Sequence, residues 1–214
     1  MIMQQEALLI IGLCLLATAL AWGLAREWHL VGQLFLDKGW LQRPISPYPY
    51  WGLVVLFILI GWREPDRLSA AICLVFVFGL YQLAYFDAKT GFLPDRWTLA
   101  LLWAALLVNS QSWYTSSDQA VLGAAVGYGA LWLLNIIYLA LRKRPGLGGG
   151  DMKLLAVLGA LFGWSALPYL LFIASALGLI FVVIRRFLKK NMSTSIAFGP
   201  FLAAAGIAWM GTGL

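Results

Sequence analysis

Eight stretches of near-continuous apolar residues run through this chain, at 7–25, 49–62, 68–86, 97–112, 119–141, 153–165, 167–184 and 196–212. Polar and charged residues gather in short clusters between them, so polarity changes by segment and not by alternate residue. A barrel strand alternates lipid-facing and lumen-facing positions with a period of two. The run LLIIGLCLLATALAWGLA has no such alternation and predicts a helix. A helix needs roughly 17–25 apolar residues to cross a hydrocarbon core about 30 Å thick. The stretches 49–62 and 153–165 are short for that and predict tilted or partly re-entrant segments. The pattern therefore predicts an all-α, polytopic membrane protein with about eight transmembrane helices, forming a single domain over residues 1–214.

Composition excludes the soluble alternative. Of the 214 residues, 62% are hydrophobic and 11% charged, where a soluble domain carries about 25% charged residues. The formal charge of +6 would suggest nucleic acid in a soluble protein, but its distribution gives another reason. With the N-terminus outside, the inside loops are 26–48, 87–96, 142–153 and 185–195, and they hold 13 of the 15 Lys and Arg residues, leaving only Arg63 and Arg67 outside. Basic residues concentrate on the cytoplasmic side of membrane proteins, so topology accounts for the charge and no nucleic-acid partner is expected. The opening MIMQQE has no basic residue, unlike a cleaved signal, and predicts a retained first span. Cys14 and Cys73 lie in separate apolar runs and His29 is the only histidine. Structural zinc takes four clustered ligands, so no metal and no disulfide are expected.

Candidate chemistry rests on the nine acidic residues. Glu6, Glu27, Asp37, Glu64, Asp66 and Asp118 fall in loops. Asp95 follows Pro94 in a short connection and reads as a turn residue. Asp87 directly follows an apolar run, and Asp151 stands between a glycine run and the apolar run LLAVLGALFGW. Ionisable groups at membrane depth are unfavourable and usually functional, although either Asp alone reads more readily as a helix cap or a solvated boundary residue. The predicted topology brings both to the same face of the membrane from different helices. Two neighbouring carboxylates share a proton, so one can act as base on a water while the other donates to a carbonyl oxygen. The run Gly146-Leu147-Gly148-Gly149-Gly150-Asp151 allows close backbone approaches and is expected to leave room for an extended peptide beside Asp151.

GLGGGDMKLLAVLGALFGW resembles the GxGD signature of the type IV prepilin peptidases, FDAKTGFLPDRWTLALLW resembles their first motif, and IAFGPFLAAAG, residues 196–206, resembles their last span. The resemblance covers about residues 80–206. It implies Asp87 and Asp151 as the catalytic pair, Pro94 as the partner of the first motif, Gly148 and Gly150 as the signature glycines, and Lys153 as a nearby charge that either tunes the site or anchors the cytoplasmic face. The implied activity is cleavage of the leader from a prepilin or pseudopilin at the cytoplasmic face of the bacterial inner membrane. The chain departs from the family pattern in the loop 26–48, which has no cysteine where many members carry two Cys-x-x-Cys pairs. That weighs against a second activity, N-methylation, so S-adenosylmethionine enters only if methylation is retained. A proton-coupled transporter and a non-catalytic assembly component are the rival classes. Presenilin-like proteases share the signature, but no Pro-Ala-Leu element favours them.

Overall fold

A computed structural model of the chain describes residues 67–143, 146, 148–188 and 197–212. The expected spans 7–25 and 49–62, the loop between them and the orientation of the N-terminus lie outside the described residues. Two compact units divide between Phe78 and Gly79. Of the first only residues 67–78, the start of the first described helix, are described, and the packing and the site below belong to the second.

All the regular structure among the described residues is helical: α1 (Arg67–Thr90), α2 (Asp95–Asn109), α3 (Ser117–Arg142), α4 (Gly149–Phe162), a 3-10 turn (Trp164–Ala166), α5 (Leu167–Phe187) and α6 (Gly199–Thr212). Among the described residues, three apolar segments are long enough to cross a membrane: Ser69–Thr90, Ser117–Arg142 and Trp164–Phe187. The apolar side chains they turn outward, such as Trp132, Leu133, Phe172 and Leu179, suit a lipid surround. Helices α2, α4 and α6 have 15, 14 and 14 residues, about 21 Å at 1.5 Å per residue, which is short of the hydrocarbon core.

Helix ends depart from the apolar pattern for local reasons. The first described helix runs past residue 86 to Thr90, and Gly91, with φ +65°, ends it by donating its N–H to the Asp87 carbonyl at 2.7 Å. Helix α4 starts inside the glycine run rather than after it, with Gly148 extended as its N-cap, and stops at Gly163 with φ +83°.

Short α4 is the centre of the unit. Eleven of its 14 residues are buried, and it packs against α2, α3, α5 and α6. Its crossing with α3 is as close as backbones allow. A Cβ on Gly123 would stand 2.1 Å from the Gly159 carbonyl oxygen, one on Gly159 2.1 Å from that of Gly123, and one on Gly127 2.6 Å from that of Leu155. Gly123 and Gly127 form a small-xxx-small pair, the pattern that lets membrane helices gain contact where lipid offers no hydrophobic drive. At the far end of α4, fully buried Asn109 donates from Nδ2 to the carbonyls of Ala160 and Leu161, both at 2.8 Å, and accepts at Oδ1 from the N–H groups of Tyr114 and Thr115. A helix C-terminus leaves four carbonyls without intrahelical partners, and one amide side chain here serves two of them while fixing the connection to α3.

Candidate active site

Asp87 occupies the last turn of α1, where the partial charge of the helix is negative and a carboxylate gains nothing from it. Its side chain is nevertheless buried, 4% exposed, and Oδ2 has no hydrogen-bond partner. Leaving a buried acceptor unpaired costs about 1–3 kcal/mol. A residue kept under those conditions is not a helix cap. Asp151 sits at the opposite kind of end, the first turn of α4, where the dipole favours a negative charge. It is also buried, 8% exposed.

The two helices bring these carboxylates close enough to interact, and α6 closes over them. Its first residue, Gly199, is buried, and a Cβ there would lie 2.5 Å from Asp87 Oδ2 and 3.0 Å from Cγ. The Gly199 backbone amide favours the charged form of both carboxyls. Asp151 stands ahead of the apolar stretch that begins at residue 153. Burial pushes its carboxyl up to about 7, the charge of Asp87 adds to the rise, and the Gly199 N–H opposes it. At neutral pH the pair is therefore poised to hold one proton, the state in which one carboxyl donates and its neighbour accepts.

A cavity of about 940 Å³ opens onto the pair. Its polar edge is Asp87, Asp151, Lys153, Arg185 and the backbone of Gly148–Gly150, and its apolar wall includes Phe92, Leu93, Phe181, Phe198 and Phe201. Phe181 and Phe201 are tilted against each other with centroids 5.5 Å apart. The Arg185 guanidinium lies over the Phe181 ring.

The other residues singled out in the sequence are placed unevenly. Gly148 is the N-cap of α4, and a Cβ on it would come within 3.4 Å of Asp151 Oδ2. Gly150 makes room for Leu93, whose Cβ would be 2.6 Å from an added Cβ, and it also lines the cavity. Within the run it is Gly149 that faces open space. Pro94 is not on the cavity wall. It caps α2, its carbonyl accepting from the N–H groups of Trp97 and Thr98 and from the Thr98 hydroxyl. Lys153 is on the wall, paired with Asp95, which is the first residue of α2 and not part of a turn. Gly199, Phe181 and Arg185 were not singled out in the sequence. Gly199 lies in the FGP of the 196–206 block, so a signal existed. Phe181 and Arg185 look like any other residues of an apolar helix and its basic end.

A model described as the type IV leader peptidase family matches residues 73–183, which takes in Asp87 and Asp151 and stops before the 196–206 block. The prepilin leader peptidase/N-methyltransferase of Neisseria gonorrhoeae is 40% identical over 152 residues, 71% of this chain and 52% of that protein. The protein of the same name from Dickeya chrysanthemi is 45% identical over 155 residues, 70% of this chain and 53% of the relative. That from Escherichia coli is 41% identical over 143 residues, 67% and 63%. The chain thus spans about half the length of the first two relatives and under two thirds of the third. No solved structure matches it.

Proposed function

The chain belongs to the type IV leader peptidase family, and from that membership we propose that it is a membrane aspartyl endopeptidase that removes the leader peptide of type IV prepilins or pseudopilins. The observation that carries the reading is the pair itself: two buried carboxylates from different helices, one packed against the Gly199 backbone and with an unpartnered oxygen, at the edge of an apolar-walled cavity. In the singly protonated pair the ionised carboxylate takes a proton from a water, whose oxygen attacks the scissile carbonyl carbon. The protonated partner gives its proton to the carbonyl oxygen. Collapse of the tetrahedral species expels the amine, which leaves with a proton returned from the pair. Asp87 and Asp151 carry the chemistry, Gly148 shapes the approach to Asp151, Gly150 admits Leu93, and Pro94 sets the start of α2.

The protein crosses the bacterial inner membrane eight times as one domain, N-terminus outside, and the pair faces the cytoplasm. Support for that arrangement is the placing of 13 of 15 basic residues in the four inside loops. The lipid bilayer is the solvent of the outward apolar faces, and the substrate is a peptide with an apolar segment that reaches the pair from within the bilayer. A transporter reading is less favoured, because relay carboxylates are expected near the midplane, whereas Asp87 and Asp151 stand in terminal turns of their helices. The second activity in the relatives' name would call for a methyl donor such as S-adenosylmethionine. No methyl-transfer step is derived.

Membranes containing the protein, incubated with a type IV prepilin and followed by gel shift, test the proposal beside Asp87→Ala and Asp151→Ala variants of equal abundance. Cleavage by the parent and by neither variant is expected. A variant that still cuts removes that residue from the pair, and a parent that cuts none of several prepilins moves the transporter and scaffold readings ahead.

A further inference from the structure

Asp87 is at the wrong end of its own helix, buried, with Oδ2 lacking a partner. The positive end of another helix stands against it. Helix α6 has 14 residues. In its first turn Pro200 has no N–H, and the N–H groups of Phe201 and Leu202 donate to the Phe198 carbonyl. That leaves the Gly199 N–H as the one without an intrahelical acceptor. Gly199 opens that turn. The space where its side chain would be is occupied by the Asp87 carboxylate, with an added Cβ at 2.5 Å from Oδ2. Backbone atoms approach a carboxylate this closely only where there is no Cβ. We infer that Gly199 is a positioning residue of the site: its N–H, shared by Asp87 and Asp151, holds the two carboxylates round one donor, and its missing side chain is what admits Asp87. This rests on the peptidase reading, and it adds a third element, α6, to a pair otherwise supplied by α1 and α4.

The geometry gives the role a reason. Two carboxylates drawn together repel once both are charged. A fixed dipole between them lowers that repulsion without becoming a proton donor in the reaction, because a backbone amide does not titrate. It also fixes their separation, and a displacement of about 1 Å at a reacting centre can cost about a hundredfold in rate. The other titratable groups on the same cavity are Lys89 of α1, Asp95 of α2, Lys153 of α4 and Arg185 of α5.

The test separates donor from space. Replacing the Gly199 amide by an ester (glycolic acid incorporated at position 199) removes the N–H and adds no atom. Gly199→Ala keeps the N–H and adds the Cβ. Gly206→Ala is the matched packing control on the same helix, where a Cβ would stand 2.5 Å from Leu158 Cδ2, the movable end of a side chain. Each full-length protein is titrated by infrared difference spectroscopy of its carboxyl groups, with Asp151→Asn used to assign the Asp151 band, and assayed for prepilin cleavage. The ester is expected to move the Asp151 midpoint up by about one pH unit and to slow cleavage about tenfold or more. Gly199→Ala is expected to slow it about a hundredfold, while Gly206→Ala stays within about threefold of the parent and leaves the midpoint in place. An ester variant that titrates and cleaves like the parent overturns the inference, as does Gly206→Ala reproducing the effect of Gly199→Ala. If the parent cuts no prepilin, the peptidase reading fails on that count, and the infrared titration still decides whether Gly199 holds the pair.

Discussion

The two ends of α4 place polar groups by opposite rules. At the C-terminal end Asn109 is fully buried and fully used, bonded to two carbonyls and two N–H groups, with Ser117 donating to its own carbonyl at 3.0 Å. At the N-terminal end two carboxyls are buried, Gly199 stands against one of them, and an oxygen of Asp87 has no partner. Buried polar groups that are satisfied add stability and specify the fold. Buried polar groups that are not satisfied lower it, and persist where the chemistry needs them. The same short helix is held by satisfied bonds at one end and, on the proposed reading, is reactive at the other.

The largest expected effect breaks the reactive end alone. Asp151→Asn keeps the shape and removes the titrating group, and general acid–base catalysis contributes about 10²–10⁴-fold. Prepilin cleavage should fall about a thousandfold, while thermal unfolding followed by tryptophan fluorescence is unchanged or shifted upward. A destabilised Asp151→Asn protein would mean that this end is structural as well.

Asn109→Ala is the converse. It strands the Ala160 and Leu161 carbonyls and the Tyr114 and Thr115 N–H groups, and unsatisfied buried groups cost about 1–3 kcal/mol each before relaxation. A net loss of about 2–4 kcal/mol is expected, with cleavage per folded molecule within about twofold of the parent. A large loss of specific activity would show that the far end of α4 is coupled to the pair.

How far each end is legible in the sequence follows from the same contrast. Asp87 and Asp151 stand out because a charge beside an apolar run is conspicuous, and the glycine run marks the second of them. Asn109, at the end of an apolar run, carries no charge and gives no warning that it bonds residues more than 50 positions away. The helices themselves follow from the apolar runs, but their ends do not. Gly149 and Gly150 read as loop by propensity, yet they are the first turn of α4, because N-terminal N–H groups need no intrahelical partner. The crossing at Gly123 and Gly159 is invisible without knowing which helices meet. Gly199 lies in a block that the sequence marks, but its role is hidden for a related reason: what identifies it is a carboxylate 112 positions earlier in the chain.

Next in size is a pH effect confined to the reactive end. The ordinary value for Asp is 3.8, and in the folded protein Asp151 holds its proton up to about 7. The native state therefore binds that proton more tightly than the unfolded chain. Its contribution to stability is fully present below about 3.8 and is lost as pH rises through about 7. Melting temperature should fall between pH 5 and 8 in the parent, and fall less in Asp151→Asn. Cleavage should decline above about pH 7, as the pair loses its shared proton. An Asp151→Asn melting curve as steep in pH as that of the parent would place the titrating group elsewhere.

The smallest expected effect concerns Lys153, which the sequence leaves between two roles, tuning the pair or anchoring the membrane face. It stands two residues from Asp151 and on the cavity wall, which favours tuning. Its ammonium is spent on Asp95, with the two side chains 30% and 59% exposed, and the influences on Asp151 are burial, Asp87 and Gly199, with no part for Lys153. An ion pair this exposed contributes about 0.2–1 kcal/mol. In a double-mutant cycle of Lys153→Met and Asp95→Asn, a coupling within that range is expected, with the cleavage rate within about threefold and its pH dependence in place. The informative outcome is the single Asp95→Asn change, which frees the ammonium without removing it. If the alkaline limb of cleavage then moves, Lys153 can reach the pair and Asp95 restrains it. If it does not move, the distinction between the ends of α4 also holds at its rim, where a partnered charge beside the reactive pair takes no part in its chemistry.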